Sequence, residues 1–426
     1  MRVLVGILLL SVCNLLHSSE LEIQVTEGRD DALPIAVVPF GTPDSDPPED
    51  IGSIVAADLH RSGQFDPLPP EDLLSRPNGE EDMIWRDFRV LGTDYVVAGR
   101  VETTGEGQYR VRYGLYDVPR QEKVLSQTYE PSAKGLRDVA HAISDRIYEH
   151  LTGVPGAFST RILYITKNID RQRPYRLQYA DADGARVQTI LRSREPIMSA
   201  SWSPSGKRVA YVSFEHEGMP GIYVHDLATA ERRKVSDYPG INGAPAWSPD
   251  GERLAITLSR DGNPEIYLLE LGTGELTRLT DHYGIDTEPR WMPDGESVLF
   301  TSNRAGGPQI YEINVNTGNT RRVTFEGSYN ARADVTPDGR FLVFVHRIDG
   351  DFHIAVKDLE RGTFDVVTST ELDESPSVAP NGSMIIYATQ EGGEGILKAV
   401  SMDGQVKVEL PSREGEVREP AWSPFL

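Results

Sequence analysis

The sequence is poor in the residues that carry most metal and nucleophilic chemistry. Its single cysteine, Cys13, lies in an apolar N-terminal segment, so we expect neither disulfide nor thiol chemistry in the mature chain. The pattern Gly-x-Ser-x-Gly, which would place a nucleophilic serine on a sharp turn, is absent. The zinc pattern His-Glu-x-x-His is absent as well. The sequence therefore lacks the common signs of a serine hydrolase or a zinc enzyme.

Basic residues are also scarce relative to acidic ones. The chain has 43 Lys and Arg against 65 Asp and Glu, for a formal net charge of −22. A nucleic-acid-binding protein needs a basic surface to neutralise phosphates. The composition thus argues against a nucleic-acid partner and is typical of a soluble, anionic protein.

Residues 1–19 form a short apolar segment led by Arg2. The apolar run is too short to span a bilayer and predicts a cleaved secretory signal peptide, with a cleavage site uncertain by a few residues. Val12 is bulkier than the small residue expected before a lipidated bacterial cysteine, which argues against a lipoprotein. We therefore expect an exported chain with no membrane span.

A unit of about 44 residues repeats through the last two-thirds of the chain. Its clearest copies are residues 245–257 (PAWSPDGERLAIT) and 289–301 (PRWMPDGESVLFT). A key, mostly aromatic position recurs at spacings of 45, 44, 44, 43 and 44; its occupants are Trp202, Trp247, Trp291, Val335, Val378 and Trp422. Short strands and tight turns at this period are typical of β-propeller blades. The tryptophans, which recur with the blade, are expected in its core.

The two ends of the repeat region complete each other. Residues 161–166 (RILYIT) match the second strand of a unit without a preceding first strand, and residues 419–424 (EPAWSP) match a first strand without a second. Pairing these fragments would close the ring and remove open sheet edges. The prediction is an all-β, six-bladed propeller over residues 154–426, closed by the C-terminal strand.

Residues 34–153 predict a small α/β domain. Residues 34–40 form a continuous apolar run that is typical of a buried strand, and residues 50–62, 79–91 and 134–151 show helical spacing. Three strand patterns lie between the second and third helices, at 95–102, 109–118 and 123–130. No glycine-rich phosphate loop occurs here.

Two patterns resemble metal sites, and both have simpler interpretations. His216, His282 and His346 are expected on one face of the propeller but on different blades, and are interpreted as solvated loop histidines. Asp181 and Asp183 hint at a calcium loop, but the distal glutamate and other oxygen ligands are missing. This stretch occupies the slot of a hairpin turn in other blades. No metal or other cofactor is predicted.

The loops that enter the innermost strands are expected at the mouth of the central channel. They are polar and differ between blades, whereas the strands behind them repeat. Variable loops on a rigid scaffold are a common form of binding site, although they could also be ordinary connections. Residues 20–33 alternate apolar and polar residues and then become charged. They predict a frayed terminus or an edge strand that could pair with another chain.

Several stretches resemble one known family along the whole chain. They are, in order, residues 34–40 (PIAVVPF), 48–59 (PEDIGSIVAADL), 242–251 (NGAPAWSPDG), 287–291 (TEPRW), 372–382 (LDESPSVAPNG) and 420–426 (PAWSPFL). With these motifs the chain resembles the TolB family, periplasmic components of the Tol-Pal system of Gram-negative bacteria.

The resemblance implies a monomeric, non-enzymatic periplasmic adaptor for outer-membrane integrity and cell division. It implies that the lipoprotein Pal binds over the propeller mouth, at Asn242, Gly243, Ala244, Thr287, Glu288, Asn330, Arg332, Glu374 and Glu419. It implies that the inner-membrane protein TolA binds the mature N-terminal segment, at Glu20, Leu21, Glu22, Ile23, Gln24, Val25 and Thr26. Other outer-membrane proteins are further candidate partners.

The resemblance is imperfect at two mouth positions, and a second function remains open. Ile241 stands where the family often has a basic residue or histidine, and Arg332 replaces an acidic or polar residue. The hypothesis is that Pal binding alters the docking of residues 20–26 between the two domains. The alternative is a periplasmic lyase or glycan hydrolase that uses paired carboxylates at the channel mouth.

Overall fold

A computed structural model describes residues 23–43, 46–168, 172–410, 412 and 415–426. The predicted signal segment and Glu20, Leu21 and Glu22 lie outside the described residues. Among the residues described, no helix combines the length and the apolar character needed to cross a bilayer.

The N-terminal part contains one mixed sheet and three α-helices. Its elements are β1 (Gln24–Glu27), β2 (Leu33–Val37), α1 (Ile51–Arg61), β3 (Phe65–Pro67), α2 (Trp85–Val90), β4 (Tyr95–Gly105), β5 (Gln108–Asp117), β6 (Glu122–Tyr129) and α3 (Leu136–Thr152). The sheet has the order β3-β2-β4-β5-β6, with β2 parallel to both of its neighbours. Helices α1 and α3 pack their apolar residues against one face of this sheet, around Val55 and Ile143.

Helix α1 lies where its sequence pattern predicts it. The Asp50 carboxylate accepts a hydrogen bond from the Ser53 N–H at 3.1 Å, which caps the first turn. The helix stops before Gly63, whose φ of 67° is favourable for glycine. Ile51, Val55 and Leu59 are fully buried, as the helical spacing requires.

The single helix predicted over residues 79–91 is wrong. A 3₁₀ turn at Glu80–Asp82 and the short α2 take its place, with extended backbone at Met83 between them. Met83 and Trp85 both pack against the cluster around Phe88, a spacing that a continuous helix does not provide.

The propeller strands follow the repeat. They are β7 (Arg161–Lys167), β8 (Tyr175–Asp181), β9 (Gln188–Ser193), β10 (Ile197–Trp202), β11 (Arg208–His216), β12 (Met219–Asp226), β13 (Arg232–Ser236), β14 (Asn242–Trp247), β15 (Arg253–Leu258), β16 (Glu265–Glu270), β17 (Leu276–Arg278), β18 (Asp286–Trp291), β19 (Ser297–Ser302), β20 (Gln309–Asn314), β21 (Thr320–Arg322), β22 (Asn330–Val335), β23 (Phe341–Ile348), β24 (Asp351–Asp358), β25 (Phe364–Val366), β26 (Glu374–Val378), β27 (Met384–Glu391), β28 (Glu394–Ser401), β29 (Lys407–Leu410) and β30 (Glu416–Trp422).

These strands form six blades, and the C-terminal strand closes the ring. Blade 1 has the order β30-β7-β8-β9, and blades 2 to 5 contain β10–β13, β14–β17, β18–β21 and β22–β25. Blade 6 contains β26–β29 and carries β1 as an additional outer strand. Trp422 of β30 pairs with Ile162 of β7, and its indole N–H donates to the Thr160 hydroxyl at 2.8 Å. The predicted six-bladed propeller and its C-terminal closure are confirmed.

The aromatic position of the repeat lies in the blade core, as predicted. Trp202, Trp247 and Trp291 are all at least 93% buried. The guanidinium of Arg208 lies 4.9 Å from the ring centre of Trp247, and Arg253 lies 4.8 Å from that of Trp291. Stacked arginines at successive blades complete the burial of the indoles.

A buried ionic cluster joins the two parts of the chain. His141 of α3 lies between Asp58 of α1, at 2.8 Å, and Asp183 of the propeller, at 3.5 Å. Arg61 binds Asp58, and Arg137 binds Asp183. Each buried carboxylate is thereby paired, as buried charges require.

Candidate functional site

The channel mouth contains a ring of strained backbone positions. In every blade the pairing between the first and second strands shifts register near the start of the first strand. A non-glycine residue with positive φ lies within each shift; these are Ser199, Ala244, Glu288, Arg332, Ser375 and Glu419, at 46° to 54°. Such a conformation costs about 1 kcal/mol or more per residue. Because this strained conformation recurs in all six blades, the bulge is a regular structural feature of the mouth.

The same six residues line a cavity of about 630 Å³ that follows the channel axis. The first strands of all six blades contribute to its wall. A bulge turns the side chain at its position away from the regular alternation of the strand. The ring therefore presents two serines, two glutamates, one alanine and one arginine to one cavity.

Arg332 is the cation among the carboxylates of this ring. Its Nε donates to Glu288 Oε1 at 2.7 Å, and its backbone N–H donates to Glu288 Oε2 at 3.2 Å. Its guanidinium also donates to the Ser375 hydroxyl. The side chain is 35% exposed and lines the cavity. Arg332 thus links three neighbouring blades across their bulges.

At this ring, burial and the neighbouring charges shift pKa values in opposite directions. Burial lowers the pKa of Arg332, but the charges of Glu288 and Glu419 outweigh it and the pKa is raised above its usual value. Burial raises the pKa of the Glu419 carboxyl, although Arg332 and the Ser199 N–H, which donates to it, act in the opposite direction. The Arg332 guanidinium is therefore fully charged, and its charge favours the ionised form of the Glu419 carboxyl.

A second ion pair lies deeper in the channel. Arg290 Nε contacts Asp334 Oδ1 at 2.8 Å, and Asp334 Oδ2 accepts from the Val378 N–H at 2.9 Å. These contacts link the same three blades as those of Arg332. The charged groups at this depth of the channel are thus paired as well.

Two predicted contact residues are buried and hold the mouth loops. Asn242 is 1% exposed and exchanges hydrogen bonds with the backbone of Tyr238. Asn330 is fully buried, and its amide binds Gln309 and the His346 ring at 2.8 Å and 2.7 Å. We interpret these asparagines as positioning residues, because their side chains are buried and hydrogen-bonded within the protein.

The structure gathers the other predicted mouth residues at the channel. Gly243 and Thr287 line the cavity one position before the ring. Glu374 is exposed beside it, in an adjoining cavity of about 580 Å³ that Glu288 and Arg332 also line. Ser199 and Ser375 belong to the ring but were missed, although the blade period places them level with Ala244.

Apolar side chains surround the charged mouth. They lie in or just before the first strands and are 37% to 84% exposed; they are Met198, Ile241, Tyr283, Ile285 and Leu372. Several large apolar side chains exposed at one end of a rigid scaffold are a feature of protein-binding surfaces. The sequence signal that could have found them is the presence of large apolar residues in otherwise polar loops.

The described part of the N-terminal segment is docked as a strand. β1 pairs antiparallel with β29, with Gln24 opposite Glu409 and Val25 opposite Val408. Ile23 and Val25 pack against the core of blade 6. The pairing is short and lies at a sheet edge, where strands exchange most readily.

Charged pairs flank this strand. Glu27 contacts the Lys407 ammonium at 2.9 Å, and Arg29 contacts Asp403 at 2.9 Å. Ile23 lies at the wall of a small cavity between the domains that Asp58 and Asp183 also line. The docked segment therefore contacts both the outer edge of the propeller and the domain joint.

The structure shows where the histidines and aspartates that resemble metal sites in the sequence lie and what they contact. His216 is exposed on blade 2, and the His282 ring accepts from the Gly284 N–H at 3.0 Å. His346 is buried against Asn330, so its interpretation as a solvated loop histidine is wrong. Asp181 and Asp183 form the predicted hairpin turn, in which the Gly184 N–H donates to the Asp181 carbonyl at 2.8 Å.

Asp58, His141 and Asp183 bring their ligand atoms within 4.8 Å of one another. Arg61 and Arg137 already bind the two carboxylates, and their positive charges would repel a metal ion. This buried group is an ionic joint between the domains.

Two family profiles match the chain. The profile described as the TolB amino-terminal domain matches residues 21–124, and the one described as the TolB beta propeller domain matches residues 148–426.

Similar proteins cover nearly the whole length. The Tol-Pal system protein TolB of Alcanivorax borkumensis is 72% identical over 409 residues, which cover 96% of this chain and 94% of that protein. Its counterpart from Pseudomonas fluorescens is 52% identical over 429 residues, covering 99% and 98% of the two chains. The crystal structure of TolB from Acinetobacter baumannii is similar with a TM-score of 0.89 and 42% identity, covering 95% of this chain and 100% of that one.

Proposed function

This chain belongs to the TolB family of the Tol-Pal system, and we propose that it works as a non-catalytic periplasmic adaptor with two binding surfaces. In this proposal, residues 1–19 are a cleaved signal, 20–33 bind TolA, 34–153 form a supporting domain, and 154–426 bind Pal. The adaptor would support outer-membrane integrity and envelope constriction during cell division.

The channel mouth is the surface proposed for Pal. The observation that carries this assignment is the fixed ring of six bulges, which places Glu288, Arg332 and Glu419 inside an apolar rim. Paired charges at the centre give specificity, and the apolar rim supplies the surface that is buried on binding. Glu374, exposed at the edge of the ring, is available to a partner.

The N-terminal segment is the surface proposed for TolA. Its strand β1 uses the edge of β29 in this structure, and a strand that pairs at one sheet edge can pair at another. Ile23 and Val25, which pack on blade 6, would then exchange that apolar surface for one on the partner.

Coupling between the two surfaces follows from the position of β1. The segment is held by blade 6, and the first strand of that blade carries Glu374 and Ser375 at the mouth. A partner that shifts β26 would change the edge to which β1 is docked. Such coupling must be reciprocal in binding free energy.

A charge reversal tests the Pal surface. Glu374→Lys should weaken binding of the soluble domain of Pal at least about tenfold, because it replaces an exposed carboxylate at the mouth with a like-sized cation. Glu252→Lys, at an exposed turn at the far end of blade 3, is the matched control and should bind normally. Equal affinities of both variants in titration calorimetry would refute the chosen face.

A deletion tests the second surface. Removal of residues 20–26 should abolish binding of the C-terminal domain of TolA and spare the binding of Pal. Loss of both partners by a folded variant would contradict the assignment of separate surfaces.

A further inference from the structure

The N-terminal domain carries a polar cavity that the adaptor function does not use. The face of its sheet opposite α1 and α3 is covered near Val96 by the cluster around Phe88, but the remainder is open. A cavity of about 420 Å³ lies on the open part, with the segment around Asn78 and Glu80 as one wall. Its volume is that of a site for a small ligand.

The hollow results from one row of small residues across three strands. Ala98 of β4 lies opposite Gly114 of β5, which lies opposite Ser126 of β6. A Cβ at position 114 would come within 2.7–2.9 Å of the Tyr116 side chain. Glycine is therefore required at this position for the aromatic ring of Tyr116 to lie over β5.

Cations border this hollow on both sides. In the next row Arg100 lies directly opposite Arg112, and in the preceding row Lys123 lies opposite Tyr116. Like charges placed opposite each other on a sheet repel, so this pair favours an anion close to both guanidinium groups.

The two arginines share one carboxylate. Arg100 and Arg112 approach Glu102 at 3.7 Å and 3.8 Å, and neither guanidinium makes a hydrogen bond within the described residues. Lys123 contacts Glu80 on the cavity wall at 3.1 Å. Most guanidinium N–H donors are therefore free to bind an oxyanion, which two arginines recognise with good geometry.

We infer that this cavity binds a small, hydroxyl-bearing oxyanion, a sugar acid or sugar phosphate in size and chemistry. The anionic group lies between Arg100 and Arg112, and the remainder fills the hollow over Ala98, Gly114 and Ser126. Ser126, Thr128 and Asn78 supply hydrogen bonds to hydroxyl groups. The Glu80 and Glu81 carboxylates at the wall, together with a net charge of −22, disfavour an extended polyanion.

Titration of the full mature chain with three probes tests this site. D-glucuronate carries a carboxylate, D-glucose 6-phosphate carries a phosphate, and D-glucose carries no charge. At least one of the two anions should bind saturably in the millimolar range or better, and D-glucose should bind at least about tenfold more weakly. The comparison of the two anions identifies which oxyanion the site prefers.

Two variants and a control locate the binding. Arg100→Gln combined with Arg112→Gln should weaken binding of the anion at least about tenfold, and Ser126→Phe, which fills the hollow and keeps both arginines, should do the same. Arg110→Gln lies on the same strand outside the cavity, where Arg110 binds Glu130, and should leave affinity unchanged. No saturable binding of either anion, or equal affinity in the double variant and the wild type, would overturn the proposal.

Discussion

At the scale of single residues, the channel mouth depends on one cation. Arg332 binds Glu288, and its charge lies near Glu419, whose pKa burial already raises. Replacing Arg332 by glutamine should lower the free energy of unfolding at pH 7 by about 1–3 kcal/mol, because carboxylates in the channel lose their partner. The loss of unfolding free energy should be smaller at pH 5, where protonation of the channel carboxylates removes their unpaired negative charge.

Chemical denaturation at the two pH values measures this effect. Arg361→Gln is the control, since Arg361 is 73% exposed and 3.9 Å from its carboxylate, and should cost less than about 0.5 kcal/mol. Equal costs for the two variants would contradict the role assigned to Arg332.

His141 gives the domain joint a pH dependence. Burial lowers the pKa of His141, but the charge of Asp58, its hydrogen bond and the charge of Asp183 outweigh burial, and the pKa is raised in the folded chain. A raised folded pKa contributes stability that is complete below the unfolded value of about 6.5 and is lost as pH rises through the folded value. The stability of the chain should therefore fall with pH above about 6.5.

The His141→Gln variant isolates this contribution. It keeps a hydrogen-bonding side chain between Asp58 and Asp183 without a titrating proton. Its unfolding free energy, measured at several pH values from about 6 to 9, should show a smaller dependence on pH than that of the wild type. An identical slope in both proteins would show that the joint does not titrate through His141.

At the scale of elements, strand β1 is a short outer strand added to the edge of blade 6. Val25→Asp places a carboxylate against the apolar surface of blade 6 and should destabilise docking by about 1–3 kcal/mol. Hydrogen exchange of the amides at Gln24–Glu27 and Lys407–Leu410 should then accelerate about tenfold or more, with global stability almost unchanged.

The control for this strand is Gln24→Asp. Gln24 is exposed, so a carboxylate at this position stays solvated. Acceleration in both variants to the same degree would show that charge near β29, and not lost packing of Val25, releases the strand.

The elements also show how far sequence reasoning reaches. The 44-residue period predicts every blade and the closure by β30, because turn glycines and apolar strands recur at fixed positions. The spacing of apolar residues predicts α1 and α3, because this pattern too is local in the sequence. The helix predicted over residues 79–91 is wrong because the packing of Met83 and Trp85 against the sheet overrides the local helical pattern.

The candidate site is less predictable than the fold. The resemblance selected Ala244, Glu288, Arg332 and Glu419, and the period could have added Ser199 and Ser375. The docking of β1 on β29 depends on contacts between distant segments, which no local pattern encodes. The pairing of Arg332 with Glu288 requires the bulge geometry of two neighbouring blades.

At the scale of the whole molecule, the ring depends on its own C-terminus. Deletion of residues 416–426 removes β30, exposes the edge of β7 and leaves six blades without closure. We expect a cooperative loss of stability and aggregation on heating, seen in thermal unfolding and light scattering. Deletion of the exposed Phe425 and Leu426 alone should change the unfolding temperature by no more than a few degrees.

In the proposed function, the mouth and the outer edge of one propeller bind different partners and influence each other. The affinity of the C-terminal domain of TolA, measured by calorimetry with and without saturating soluble Pal, tests this claim most directly. We expect the affinity of TolA to change at least about fivefold, and the affinity of Pal to change by the same factor when TolA is the saturating partner. Affinities that are unchanged by the other partner in both orders would contradict it.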